Sequence, residues 1–165
     1  MGDVEYVNWA GRIRLEWMGR PQELPPVELI TSVHSFCFLD GKLMLVDLNE
    51  RGWDIPGGHR EPDESAEECV LRETMEEGYV RGVPTLVGLV KVDHSENDQW
   101  RPGGKYPKVG YQAFYRVDIT EVLPFGAEFE AARRIFAAPA EAPRLHPRWS
   151  RMLERALAAA VSSVR

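Results

Sequence analysis

A chain of 165 residues, 44% hydrophobic and 28% charged, is long enough to bury a core and has the composition of an ordinary globular protein. Its net charge of −6, with no run of basic residues, argues against binding a nucleic-acid polymer, and no stretch is long and apolar enough to cross a membrane. Two cysteines, Cys37 and Cys69, are too few for a disulfide framework and stand in no metal-ligand spacing.

The first residues show no basic region followed by an apolar core, so no secretory signal is expected and the cytoplasm is the expected compartment. Val4–Asn8 and Arg12–Trp17 have the pattern of two short strands around the turn Asn8-Trp9-Ala10-Gly11. Gly19–Pro26 carries three prolines and has the composition of a linker. Leu29–Leu39 is rich in β-branched and aromatic residues, Asp40-Gly41 is a hairpin turn, and Lys42–Leu48 is the returning strand. Asn49–Gly52 is a loop that delivers the chain to Trp53 and Ile55, a short apolar strand end before Pro56-Gly57-Gly58.

A polar loop leads from there into a helix. Ser65 and Glu68 stand three apart as a capping box. Asp63, Glu64, Glu67 and Glu68 crowd the end where the helix dipole favours anions. Gly78 is expected to stop the helix as a left-handed cap. Thr85–Val92 follows as a strand, and Asp93–Lys108 as a long polar loop carrying Trp100, of a length that is usually functional or mobile. Val109–Ile119 is the next strand, Arg133–Ala137 a short last one, and Ala138–Pro147 is irregular. From Pro147 onward Trp149, Met152, Leu153, Ala156, Leu157 and Ala160 form the apolar stripe of a closing helix. The expected organisation is one domain over residues 1–165, with a hairpin and linker over 1–26 and a C-terminal helix over 147–165. One helix between strands and one at the end predict an α/β protein with helices on both sides of a mixed sheet.

The helix after Ser65 carries the chemistry. At roughly 100° per residue, Glu73, Glu76 and Glu77 fall on one arc, with Arg72 beside them. Val70, Leu71 and Thr74 fall on the neighbouring arc, the expected core face. Carboxylates one turn apart repel each other, which a solvated acidic face tolerates. A hard divalent cation such as Mg²⁺ or Mn²⁺ reverses that sign, because carboxylate oxygens are its preferred ligands.

Residues 58–80 resemble the Nudix box, G-x5-E-x7-R-E-U-x-E-E-x-G-U with U apolar. Gly58, Glu64, Arg72, Glu73, Glu76 and Glu77 match at the right spacing, and Val80 fits the last apolar position. Tyr79 stands where the box has Gly, and Gly78 comes one residue early, so the helix is expected to end a residue sooner.

The resemblance implies the Nudix fold, an α/β/α sandwich with a mixed central sheet. It also implies a divalent-metal-dependent hydrolase of a nucleoside diphosphate linked to another moiety, cut at the diphosphate, with Mg²⁺ or Mn²⁺ as cofactor. Within the family the lean is to a nucleoside triphosphate, oxidised ones included, cut to monophosphate and pyrophosphate. ADP-ribose, a nucleotide sugar or a dinucleoside polyphosphate are alternative substrates. A non-catalytic nucleotide-binding Nudix module is the rival from another class, and it fits less well a chain that keeps every box carboxylate. The expected partner is a nucleotide-derived small molecule, and the chain is expected to be a monomer or a homodimer.

Residue by residue, the resemblance makes Glu73, Glu76 and Glu77 metal ligands, with the Gly57 carbonyl as a further one. Glu73 or Glu76 is the expected general base, and Glu96, Glu128 and Glu130 are downstream alternatives. Arg72 is expected to orient Glu73 by a charge-assisted pair, and Glu64 and Gly58 to be structural. Arg51, His59, Arg60 and Lys105 are the cations placed to meet phosphates, and Trp100 is a stacking surface for the substrate.

Overall fold

The structure is a computed structural model that describes residues 3–49 and 51–163. Val4–Asn8 (β1) and Arg12–Gly19 (β2) form the expected antiparallel hairpin, in which Asn8 opposes Arg12. A 3₁₀ turn over Val27–Leu29 leads into β3 (Ile30–Leu39). Asp40 and Gly41 both take left-handed backbone, φ 51° and 77°, the geometry of a two-residue hairpin. They join β3 to β4 (Lys42–Leu48), but the two strands pair only beside the turn, Phe38 with Leu43 and Leu39 with Lys42.

Beyond that point β3 and β4 part. β4 continues against β5 (Gly52–Asp54). The N-terminal half of β3 takes a new partner, β6 (Gly57–His59), with His34 opposite Gly57 and Val33 opposite Gly58. The Gly-Gly segment thus enters the sheet where two neighbouring strands diverge. Ser65 and Glu68 complete the capping box that opens α1 (Ala66–Gly78), in both directions, at 2.9 and 3.0 Å.

The chain then makes two long strands, β7 (Val80–Asp93) and β8 (Val109–Val122), paired antiparallel along almost their whole length. β7 starts earlier than the sequence suggests. Gly82 and Pro84 look like breakers, but β2 pairs only with Leu89–Asp93 of β7, so Pro84 sits on an open edge where no ladder N–H is needed. β8 runs parallel to β3, and β9 (Ala131–Ala137) adds to β4. A single turn of helix, α2 (Ala142–Leu145), lies in the segment expected to be irregular. The closing helix α3 (Arg151–Ser162) begins at an N-cap by Ser150 rather than at Pro147. The resulting nine-stranded mixed sheet has the path β1-β2-β7-β8-β3-β4-β5, with β6 on β3 and β9 on β4.

Alternation along the strands divides the interior in two. Val33, Cys37, Met44, Ala113, Tyr115 and Val117 point to α1 and meet Cys69 and Val70. Phe36, Phe38, Leu45, Val90 and Phe114 point the other way and meet Met152, Ala156 and Ala160 of α3. A helix on each face of one sheet is the α/β/α sandwich that the element order predicts.

α1 departs from expectation at two places. Its buried face holds Cys69, Val70, Glu73, Thr74 and Glu77, while Leu71, assigned to the core by its arc, is exposed. Its C-terminus runs one residue further than Gly78 suggests. Gly78 is still helical, and Tyr79 itself takes the left-handed cap, φ 55° and ψ 44°. A side chain at Gly78 would meet the end of the Met44 side chain, which lies against that glycine. The left-handed backbone of Tyr79 is offset by its surroundings. Its ring packs on Phe125 and Phe129, its hydroxyl accepts the Glu128 N–H at 2.9 Å, and its carbonyl accepts from Leu123 N and Arg134 Nη1.

Two substitutions separate these contributions. Tyr79→Phe should lower stability by about 1 kcal/mol through the lost hydrogen bond. Tyr79→Gly relieves the left-handed backbone by roughly 1 kcal/mol but removes a buried ring worth about 3–5 kcal/mol, so it should be the less stable of the two. Urea denaturation of both variants checks the order, and a Gly variant as stable as wild type would show that the ring is not what holds the cap.

Candidate active site

Arg72 gathers the acidic residues. Its Nε and Nη2 donate to the two oxygens of Glu64 at 2.6 and 2.9 Å, and Nη1 donates to Glu73 Oε1 at 2.7 Å and Glu76 Oε2 at 3.2 Å. Nη2 also reaches the His59 carbonyl at 3.3 Å. The planar fork of an arginine suits this bidentate grip. Glu64 is held well down, to about 2, chiefly by its hydrogen bonds to Arg72, and its Oε1 also accepts the Glu61 N–H. The loop before α1 is thereby clamped to the helix.

Glu73 and Glu77 sit one turn apart on the buried face, 9% and 3% exposed. The two glycines explain how they fit. A Cβ at Gly58 would lie 2.7 Å from the Glu73 carboxylate, and a Cβ at Gly57 would lie 2.6 Å from the Val33 carbonyl and His34 Nδ1. The Gly57 N–H donates to Glu77 Oε1 at 2.9 Å. Burial still dominates at Glu77 and pushes its carboxyl up to about 8, with the Gly57 hydrogen bond opposing. Burial also raises Glu73, against the pull of Arg72.

The donor set suits a hard cation. Among the described residues, Glu77 has no ion-pair partner, since Arg72 is spent on Glu64, Glu73 and Glu76. A buried carboxylate without a counter-charge is costly, and Mg²⁺ or Mn²⁺ is the kind of ion that such oxygens satisfy. Among the described residues no three acidic, His or Cys groups already converge as a metal cage.

A cavity of about 770 Å³ opens over Glu73 and Glu77. His34 and Asp54 contribute to its wall. His34 stacks on Phe114 at 5.1 Å and is driven down to about 4 by burial, so its ring is neutral. Burial works to raise Asp54, but the 2.8 Å contact from His146 Nε2 and the Ile55 N–H outweigh it, and its carboxyl lies below the usual value. His146, itself buried, thus ties the segment before α3 to the cavity.

A model of the NUDIX domain matches residues 31–156.

The chain belongs to the Nudix family. A Bacillus subtilis (strain 168) protein provisionally named an 8-oxo-dGTP diphosphatase, YtkD, is 49% identical over 45 residues, 27% of this chain and 28% of that protein. A MutT-like protein of Streptomyces ambofaciens is 36% identical over 81 residues, 47% of this chain and 53% of its own. The chain therefore spans from about a quarter to about half the length of these curated relatives. The crystal structure of a mutant of the Bacillus subtilis pyrophosphohydrolase BsRppH superposes with a TM-score of 0.71, at 23% identity, over 92% of each chain. At that identity the likeness concerns the fold.

Measured against the Nudix expectations, the structure puts Gly57, Gly58, Glu73 and Glu77 on the cavity wall, together with Arg51, His59 and Trp100. Glu76, Arg72 and Glu64 are not among the residues that line it, and Arg72 joins the two glutamates. Of the downstream acids, Glu130 lines the cavity beside Arg51, at 3.5 Å. Glu96 turns away to Tyr6 and Arg12, and Glu128 contributes its N–H to Tyr79. Arg60, expected among the phosphate cations, spends its guanidinium on the carbonyls of Ile30, Glu61, Pro62 and Glu64, so it braces the loop instead. His34, Asp54 and Trp9 escaped the sequence reading. His34 lies inside a strand pattern, Asp54 beside the glycines, and Trp9 in a distant turn, and no spacing connects them.

The raised carboxyl of Glu77 has a measurable sign. The folded state holds this proton more tightly than the unfolded chain, so without metal the group lowers stability as pH rises from about 4.5 to about 8. Glu77→Gln should therefore melt several degrees above wild type at pH 8–9 in EDTA and match it below pH 4.5. Thermal melts across that range check the prediction, and a constant difference at every pH would contradict it.

Proposed function

We propose that the chain is a divalent-metal-dependent hydrolase that cleaves the diphosphate linkage of a nucleotide-derived small molecule. The observation that carries this reading is the buried Glu73–Glu77 pair on the cavity wall, of which Glu77 has no ion-pair partner among the described residues, in a chain of the Nudix family. Glu73, Glu76 and Glu77, with the Gly57 carbonyl, would hold the metal. When bound, Mg²⁺ or Mn²⁺ supplies Lewis acidity and neutralises the negative charge of the diphosphate.

The protein supplies the rest. Arg72 orients Glu73 through the 2.7 Å bond and keeps Glu76 within reach. Glu73 or Glu76 takes the proton from the attacking water, and Glu130, which lines the same cavity, is the alternative base. Arg51, His59 and Lys105 face the same space and meet the phosphates. Trp100 is set by its Nε1–H, which donates to the Tyr106 carbonyl at 2.9 Å, so its ring is presented in a fixed position. The substrate lean is to a nucleoside triphosphate, oxidised ones included, cut to monophosphate and pyrophosphate. The name carried by the YtkD relative supports that lean. The expected setting is a cytoplasmic monomer or homodimer, acting as one domain over 1–165.

A panel of nucleoside triphosphates, ADP-ribose, nucleotide sugars and dinucleoside polyphosphates, assayed with Mg²⁺ or Mn²⁺ and resolved by chromatography, tests the function. Turnover should vanish in excess EDTA. Glu73→Gln and Arg72→Ala should each lower kcat by about a hundredfold or more with a small change in KM, because the groups act where charge develops. Turnover that persists in EDTA, or variants with near-normal kcat, would refute the assignment.

A further inference from the structure

The family match begins at residue 31, so the first hairpin lies outside it. The turn of that hairpin nevertheless helps to wall the cavity. Trp9, Ala10 and Ile13 face the same space as Trp100, Tyr106 and Gln112. Trp9 leaves 49% of its surface exposed, a large apolar ring in water with a cavity beside it. Its backbone is fixed, since Trp9 N–H donates to the Gly11 carbonyl at 3.1 Å and Ala10 and Gly11 both take positive φ.

The turn and the loop over 94–108 are fastened together. Gly11 is buried beneath Asn97 so closely that a Cβ there would overlap the Asn97 side-chain amide. Glu96 accepts from the Tyr6 hydroxyl at 3.0 Å and pairs with Arg12 at 3.4 Å, and the Arg12 guanidinium lies 3.9 Å over the Tyr6 ring. Asn97 Nδ2 lies 3.1 Å from His94 Nδ1, and the His94 ring stacks on Tyr106. Two segments far apart in sequence therefore bring Trp9, Tyr106 and Trp100 to one aromatic mouth. Arg101 and Lys105 sit on the same wall and bring positive charge to it.

We infer that this mouth is a nucleobase subsite in which Trp9 is the base-stacking residue, its indole face lying on the base of a nucleotide whose phosphates reach the Glu73–Glu77 wall. Stacking suits the site because every base offers a π face and a rigid indole loses little freedom on contact. Placing the phosphates rests on the proposed hydrolase function, whereas the stacking contact is a statement about binding alone.

Calorimetric titration in Mg²⁺ with non-hydrolysable α,β-methylene nucleoside triphosphates tests it. 5-Phosphoribosyl 1-diphosphate, which carries a diphosphate and no base, serves as the control. Trp9→Ala should weaken nucleotide binding tenfold or more and leave the base-free ligand unaffected, and Trp9→Phe should restore most of the loss. Equal nucleotide affinity in wild type and Trp9→Ala would overturn the inference. So would an equal loss for the base-free ligand, or no nucleotide binding by wild type at all. Turnover of the natural nucleotides is read separately. Trp9-dependent binding without any turnover would remove the hydrolase reading and leave the subsite standing. Turnover with no Trp9 effect would do the reverse.

Discussion

A single guanidinium holds the candidate site in register. Arg72 reaches Glu64 in the loop, Glu73 and Glu76 on its own helix, and the carbonyl of His59 at the end of the Gly-Gly strand. Loop, helix and sheet are thus fixed to one side chain that is itself three-quarters covered. The desolvation cost of burying that charge is offset because several acceptors surround it, whereas removing it would leave two largely buried carboxylates facing each other. The capping box of Ser65 and Glu68 sets where the helix begins, and so sets which turn presents Arg72 to the loop.

The same region shows a conflict between folding and chemistry. Helix α1 places carboxylates where an ordinary helix would place Leu or Ala, and the neighbouring backbone has to be glycine to admit them. Burial of Glu73 and Glu77 disfavours their charged forms, while Cys69 and Val70 on the same face hold the helix down. Burying charged groups at a site, at some cost to the fold, is a common way for stability and function to be traded.

Much of this was legible in the sequence. Strand alternation, the Asp-Gly turn and the capping box are local signals, and they placed the hairpins, the box helix and the two-sided sandwich. The box spacing brought Gly58, Glu64, Arg72 and the three glutamates into one region. What failed was non-local. The helical arc points Leu71 inward because it does not distinguish a core of side chains from a face that buries Glu73 and Glu77 against glycine. The cap was assigned to Gly78 because glycine is cheap in left-handed backbone. The phenylalanines that make Tyr79 tolerable there lie near residues 125 and 129, far along the chain. Arg60 carried the right charge for a phosphate, but nearby carbonyls had already claimed it. The partnership of Gly11 with Asn97 has no trace in any spacing.

The parallel pairing of β3 with β8 sets an order of events during synthesis. β3 contains residues 30–39 and its partner begins at Val109, so the centre of the sheet cannot close until most of the chain has left the ribosome. Until then the hairpin of β3 and β4 and the nascent box helix have only local partners, and the backbone N–H and C=O groups along the edge of β3 that β8 will pair are open. Long-range parallel closure of this kind is slow and leaves intermediates open to aggregation. The acidic loop and helix, which emerge between the two strands, supply negative charge to a chain whose strand edge is still open. They would keep neighbouring nascent chains apart during the interval in which the sheet is incomplete.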